Sequence, residues 1–481
     1  MTLDIHWPLF KTEIGLVLLS LGALVLDIFL KGDAKRGSTL ANLAMIGVSL
    51  IFVNLLFQWS VFGKSLGGTF VQDGVSWCFK LLFLLAGFFA LFMAREYQTY
   101  LKRGHGEFVL LILFSLTGMV FLASANDFLL LFVALETLTI SLYVMTAYLR
   151  DVEASVEAGV KYLILGALST AVFLFGLSFI YGTTGGTSYA GIQAKLASLP
   201  STPPAFLFGM ILVIASLGFK IAAVPFQLWA PDIYQGAPTP VTAYLSIGSK
   251  AAGFAALVRL MLMVFAPAER NFALLLSVLA ALTMLYGNLG AIPQTNLKRL
   301  LGYSSIGHAG YLLIGLAAFA QSGKEAVLFY LLSYLVSTGG AFLVIVALAN
   351  HLKTEEISEL AGLSQRSPVL AAGMLISLFS LAGLPPLAGF FAKFYVLWAG
   401  VKSGLLWLVL IGLFNVITSM FYYLKIVKAM YIDKPVDTAP VRVTADQKIF
   451  QYACMFSIVL LGVYQGPFVK LAGLAFTTFP K

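Results

Sequence analysis

Of 481 residues, 60% are hydrophobic and 11% charged, and the mean hydropathy is +0.94. Soluble globular proteins carry about 25% charged residues, so this composition excludes a soluble globule and leaves a polytopic helical membrane protein. The formal charge of +9 does not point to nucleic acid, because the basic residues are scattered between apolar runs and report membrane orientation instead.

The first apolar run is preceded by Asp4, closed by Lys31 and followed by no small-residue cleavage pattern, so it reads as a span. Apolar runs between polar or Gly/Pro breaks predict helices over 13–30, 38–60, 74–94, 107–123, 127–149, 155–181, 205–230, 239–265, 271–291, 301–320, 324–350, 367–399, 404–431 and 448–475. Every second connection is basic: Lys31, Lys35 and Arg36; Arg95, Lys102 and Arg103; Arg150; Lys298 and Arg299; Lys353 and Arg366; then Lys425, Lys428, Lys434, Arg442 and Lys448. The intervening connections hold only Lys64, Lys195, Arg270, Lys324 and Lys402. The positive-inside rule therefore puts the first set in the cytoplasm and both termini outside.

Two spans are interrupted. Lys220 precedes Pro225 in the seventh, and Pro385 and Pro386 precede Lys393 in the twelfth. Proline removes a donor and clashes with the preceding turn, and such backbone is tolerated at bilayer depth only where it is buried in protein or lines a wet cavity. Each break therefore marks a cavity beside a lysine. The breaks are offset by five spans, an odd number, so the stretches around them have opposite orientation, as in inverted-repeat transporters. The expected organisation is an N-terminal three-helix segment (1–106), a first repeat (107–265), a second repeat (266–431) and a last helix (432–481).

Five ionisable residues fall inside apolar runs: Glu136, Lys161, Lys220, Lys250 and Lys393. Each ionised group at that depth costs roughly 2.5 to 3.5 kcal/mol, and such residues mark ion or proton pathways by default. Glu136 lies about 14 Å into its span. It is read either as a protonated group bonded in a helix interface or as the partner of Lys220, each keeping the other charged. Lys250 and Lys393 have no carboxylate nearby in sequence; a desolvated lysine can exchange a proton, whereas an arginine cannot. Snorkelling or pairing with a carbonyl is the alternative for both, and snorkelling is the favoured expectation for Lys80 and Arg259 near the ends of their spans. His308 reads either as a relay between Lys250 and Lys393 or as a satisfied packing residue. Glu157 and Lys161, four apart on one helical face, form either a stabilising pair or a cytoplasmic entrance. Asp27 has no evident partner. Cys78 and Cys454 have no CxxC neighbour and read as buried small hydrophobes. The sequence holds no GxGxxG opening a helix after a strand, no Walker-type loop and no cysteine cluster for iron and sulfur, so no metal or cofactor site is expected in this chain.

The strings GFKIAAVPFQLWAPDIYQGAPTPV (218–241), QTNLKRLLGYSSIGHAGYLL (294–313) and SLAGLPPLAGFFAKFYVL (380–397) resemble the subunit N family of bacterial proton-pumping NADH:quinone oxidoreductase, respiratory complex I. Its mitochondrial relative is NADH dehydrogenase subunit 2. The likeness runs along essentially the whole chain, and the stretch from Trp229 to Pro240 is specific to this family rather than to sister subunits L and M. The resemblance implies an antiporter-like fold of fourteen helices with two inverted five-helix repeats in the bacterial inner membrane. It implies that Glu136 and Lys220 form the paired fifth- and seventh-helix site, that Lys250 connects, that Lys393 is the twelfth-helix lysine and that His308 lies on a central polar axis. It further implies partners such as subunits M, K and J and the surrounding lipid, with NADH, FMN, iron–sulfur clusters and quinone bound in partner subunits. One departure is Gln227, where relatives often have histidine; an amide cannot titrate. The rival reading is a cation/proton antiporter subunit of Mrp type.

Overall fold

The computed structural model describes residues 4–30, 32–101, 103–264, 269–349, 354–435 and 439–478. Lys31, Lys102 and Lys353, used above for orientation, lie outside the described residues, as do the side chains of Lys35 and Arg270. A chain without water around it must satisfy its backbone internally, and the apolar runs accordingly form helices: α1 (Lys11–Phe29), α2 (Asp33–Leu56), α3 (Gly74–Glu96), α4 (His105–Ala123), α5 (Phe128–Thr146), α6 (Glu153–Thr184), α7 (Pro204–Ile221) and α8 (Thr239–Met263). There follow α9 (Glu269–Ala291), α10 (Leu297–Ala317), α11 (Gln321–Ala349), α12 (Pro368–Ala382), α13 (Ala388–Lys402), α14 (Leu406–Tyr431), α15 (Ala445–Val463) and α16 (Gly466–Thr477). A short antiparallel hairpin, Gly63–Ser65 with Phe70–Gln72, and a short helix, Tyr189–Ala197, occupy connections.

Side chains that favour caps set the helix starts. Asp73 accepts from the Ser76 amide at 2.7 Å while Ser76 Oγ accepts from the Asp73 amide at 2.8 Å, a capping box that opens α3. Asp127 caps α5 through the Leu129 amide, and Asn296 caps α10 through that of Arg299.

Among the described residues, twelve helices are each long and apolar enough to cross a bilayer, and thirteen if α15 and α16, bent by 77°, make one span. The stretch expected as an interrupted twelfth span occurs as α12 and α13, fifteen residues each. Both expected interruptions are present. Helix α7 stops at Ala222, which takes the left-handed conformation at φ 57°, and the chain passes through Pro225 to a short helix, Trp229–Gly236. Helix α12 stops at Gly383, at φ 91°, and the chain resumes as α13 beyond Pro385 and Pro386. Glycine accepts that conformation without a Cβ clash.

The helices gather into two compact units, each with its own core. The first comprises the described residues of 1–222, 248–274 and 473–481. Within it α6 and α7 approach so closely that a Cβ on Gly176 or Gly209 would lie 2.7 Å from the other's carbonyl oxygen, the small-residue contact expected where lipid gives no hydrophobic drive between helices. The second comprises 223–247 and 275–472. There α9 and α10 meet at Gly287, Gly307 and Gly310, and α15 presses Gly462 against the Pro386 carbonyl, bracing the second break.

Candidate functional site: buried charges beside two broken helices

In the first unit, Lys220 occupies the last turn of α7, one turn before the break, and is 4% exposed. Its amine has no hydrogen-bond partner and lies 5.9 Å from the centre of the Tyr143 ring on α5. Glu136, one helix over on α5, is within electrostatic reach. It makes no ion pair with Lys220; its Oε1 accepts from Thr170 on α6 at 2.7 Å. The two groups are thus held apart, with Tyr143 beside both, and Glu136 lines a cavity of about 550 Å³ with Tyr143 and Thr170. An uncompensated amine at this depth is costly, so its position records a constraint other than stability.

Lys250 is buried in α8 directly after a π-helical turn, Leu245–Ser249. Such turns occur mostly as single insertions and frequently at functional sites. Gly253, one turn further along α8, faces α7: a Cβ there would lie 2.6 Å from Ile221 Cγ2 and 3.4 Å from Lys220 Cβ. The lysine-bearing turns of the two helices are therefore neighbours in the first unit.

In the second unit, His308 on α10 is enclosed by hydroxyls. Nδ1 lies 2.7 Å from the Tyr330 hydroxyl and Nε2 lies 3.2 Å from that of Tyr423, which in turn bonds Ser304 Oγ at 2.5 Å. Tyr334 bonds Ser246 at 2.7 Å and Tyr234 bonds Ser305 at 3.1 Å. A hydroxyl both donates and accepts, so this cluster can pass a proton by reversing its bonds. Lys393, in the first turns of α13, donates to the Ala382 carbonyl at 2.9 Å and lies 5.0 Å from the Tyr311 ring centre. Sequence reasoning found His308 and Lys393 but missed Tyr330, Tyr334 and Tyr423. Tyrosine in an apolar run reads as packing, and only spatial convergence reveals the chain.

Three expectations are corrected. Lys80 does not snorkel: it is fully buried, 2.6 Å from Glu13 Oε1, and donates to Gln72. Arg259 does not snorkel either; it donates to both Asp73 oxygens at 3.0 and 3.1 Å and to the Ala123 carbonyl at 2.8 Å. Asp27 has a partner in Arg36. In each case the missing signal was a carboxylate or guanidinium distant in sequence or across a loop. Glu157 and Lys161 form an ion pair at 2.7 Å on an exposed face of α6. Lys298, expected at a membrane boundary, is 3% exposed and bonded to Glu355 and to the Ala237 carbonyl, both at 2.8 Å.

The stretch from Trp229 to Pro240 acts in the second unit as a latch on α10. Asp232 accepts from Arg299 at 2.6 Å, Gln235 accepts from it at 3.1 Å, and Tyr234 bonds Ser305. Gln227, at the break, is buried with its Oε1 unpaired. No group of three or more metal-ligating side chains occurs among the described residues.

A helical membrane protein with lysines buried beside two interrupted helices, and a histidine–tyrosine cluster at depth, defines an antiporter-like proton-conducting membrane subunit. Residues 125–419 match the family described as NADH:quinone oxidoreductase/Mrp antiporter, transmembrane, and the chain belongs to that family. The chain is 41% identical over 478 residues, 99% of both chains, to NADH-quinone oxidoreductase subunit N of Desulforamulus reducens. It is similar to a chain of respiratory complex I from Thermus thermophilus with bound aureothin, at 33% identity and a TM-score of 0.82, covering 96% of this chain and 99% of that one. A chain of the Mrp complex from Dietzia sp. matches at a TM-score of 0.86 over 98% of this chain and 97% of that one, but at 21% identity, which speaks to the fold alone.

Proposed function

We propose that the chain is the proton-translocating membrane subunit of a bacterial NADH:quinone oxidoreductase. NADH oxidation and quinone reduction, with NADH, FMN, iron–sulfur clusters and quinone, take place in partner subunits; antiporter-like subunit M and the small subunits K and J lie beside it. It spans the inner membrane with both termini outside, as two inverted five-helix repeats (107–265 and 266–431) framed by segments 1–106 and 432–481. The observation that carries the function is Lys220: buried, unbonded, beside a helix break and within electrostatic reach of a carboxylate it does not touch.

A charge change arriving from a partner alters the Glu136–Lys220 separation and with it the lysine's hold on its proton. The proton then passes through Lys250 and His308 to Lys393 and outward, and Glu157 with Lys161 forms the cytoplasmic entrance. The likeness to the Mrp chain supports the fold and carries no antiporter reading of its own. The test is Lys220→Met in the assembled complex in proteoliposomes, measuring protons translocated per NADH oxidised. A fall with assembly intact is expected; an unchanged ratio overturns the function.

A further inference from the structure

Lys80 belongs to a second cluster of buried charge in the first unit, where α1, α3 and α5 begin and α8 ends. Glu13 lies in the first turn of α1, 1% exposed; Lys80 lies about 10 Å along α3 from its cap. Asp73, capping α3, and Arg259, late in α8, complete it. The strand Phe70–Gln72 holds the cluster together: the Val71 amide donates to the Ser124 carbonyl at 2.9 Å and the Asn126 amide to that of Thr69 at 2.8 Å.

The two ion pairs differ in kind. Asp73 with Arg259 is saturated: two bonds to the carboxylate, a third to Ala123, and the Ser76 amide on Asp73 Oδ1. Arginine does not release its proton, so that pair is a fixed frame. Glu13 with Lys80 is unsaturated. Beyond the ion pair, no donor reaches either Glu13 oxygen, and Thr12 Oγ1, Gln72 Nε2, Ser124 Oγ and Asn126 Oδ1 are also buried without a hydrogen-bond partner. Buried polar groups are satisfied by protein or by ordered water; Thr12 adjoins Glu13 in the chain and Gln72 bonds Lys80 through its Oε1, so the orphaned atoms at this pair are the lining of a hydrated site. The Lys80 ammonium, 2.6 Å from the carboxylate, excludes a bound metal cation. The species such a site takes is the proton.

We propose that Glu13 and Lys80, with bound water, form a second proton-exchange site serving the membrane face where α1, α3 and α5 begin. It rests on the proton-conducting function above. The step is balanced: an N–H bond of Lys80 breaks, its electron pair staying on nitrogen, and an O–H bond forms on Glu13. The neutral acid then gives that proton to water, and Lys80 is reprotonated from the protein interior. Asp73 and Arg259, whose charges oppose one another, set the local field at Lys80.

The test uses Glu13→Gln, Lys80→Met and the double variant in the assembled complex, with protons per NADH and the infrared difference spectrum on turnover as readouts. The single and double variants are expected to lose proton yield while still oxidising NADH, and Glu13→Gln to lose a protonated-carboxyl band. A structural staple predicts the opposite for the double, which leaves no unpaired buried charge: recovery of full proton yield overturns the proposal, as does failure of the double to assemble. Full yield and an unchanged band in Glu13→Gln also overturn it. Lys220→Met run in parallel separates the two levels, since its retention of full yield removes the proposed function, whereas its loss beside a fully active Glu13→Gln removes only this site.

Discussion

Arg259→Met isolates what a buried ion pair does for the first unit. Arg259 is 3% exposed and Asp73 fully buried, and the guanidinium supplies two of the three donors that reach the carboxylate. Methionine keeps the packing of the stem but leaves a buried carboxylate with one amide donor. Removing one partner of such a pair costs about 3–5 kcal/mol. Asparagine still serves as an N-cap, so Arg259→Met combined with Asp73→Asn leaves no uncompensated charge and recovers most of that loss. The assay is unfolding of the detergent-purified protein by increasing dodecyl sulfate, followed by helical circular dichroism, for the wild type, both singles and the double. A loss below about 1 kcal/mol, the worth of a solvated pair, or a double no better than Arg259→Met, would refute the assignment of a dry, closed pair.

Other outcomes follow from the same geometry. Tyr423→Phe removes the hydroxyl bridging His308 and Ser304; it is expected to lower proton flux at a stability cost of about 1 kcal/mol, whereas Tyr311→Phe, which loses only a bond to the Gly412 carbonyl, leaves flux unchanged in the same proteoliposome assay. Gly253→Val drives a side chain into Ile221 beside Lys220, and overpacking of this kind costs about 1–3 kcal/mol; the expected result is lower thermal stability together with lower proton yield. Glu157→Gln breaks an exposed pair and changes stability by no more than about 0.5 kcal/mol, so a fall in proton uptake at the same time reports an entrance. Cys454 is 2% exposed, and its alkylation by a membrane-permeant maleimide, read by mass spectrometry, is expected only after unfolding.

Much of the fold was legible because lipid leaves the backbone few choices: apolar runs became helices, and Pro225 and Pro385–Pro386 marked the breaks. The helix count was less legible, since α12 and α13, on either side of the Pro385–Pro386 break, are fifteen residues each, fewer than the roughly 20 a span needs. The bend between α15 and α16 and the hairpin at 63–72 gave no periodic signal either. At the site, the lysines stood out because charge in an oily run is conspicuous. Their partners did not: Thr170 on Glu136, Tyr423 on His308 and Glu13 on Lys80 are ordinary residues until folding brings them together over 34, 115 and 67 positions of sequence. For Glu13 the reason is specific, because a carboxylate three residues into a helix reads as a favourable macrodipole contact and hides a deeper role.

Lys393 is moored not to an acid but to the frayed end of α12, whose Ala382 carbonyl has no amide to receive because the helix stops there. A carbonyl accepts from an ammonium and, more weakly, from an uncharged amine. The side chain is therefore tethered in either charge state, and the same interruption that ends α12 supplies the tether. A mooring that survives a change of charge keeps the amine in one place.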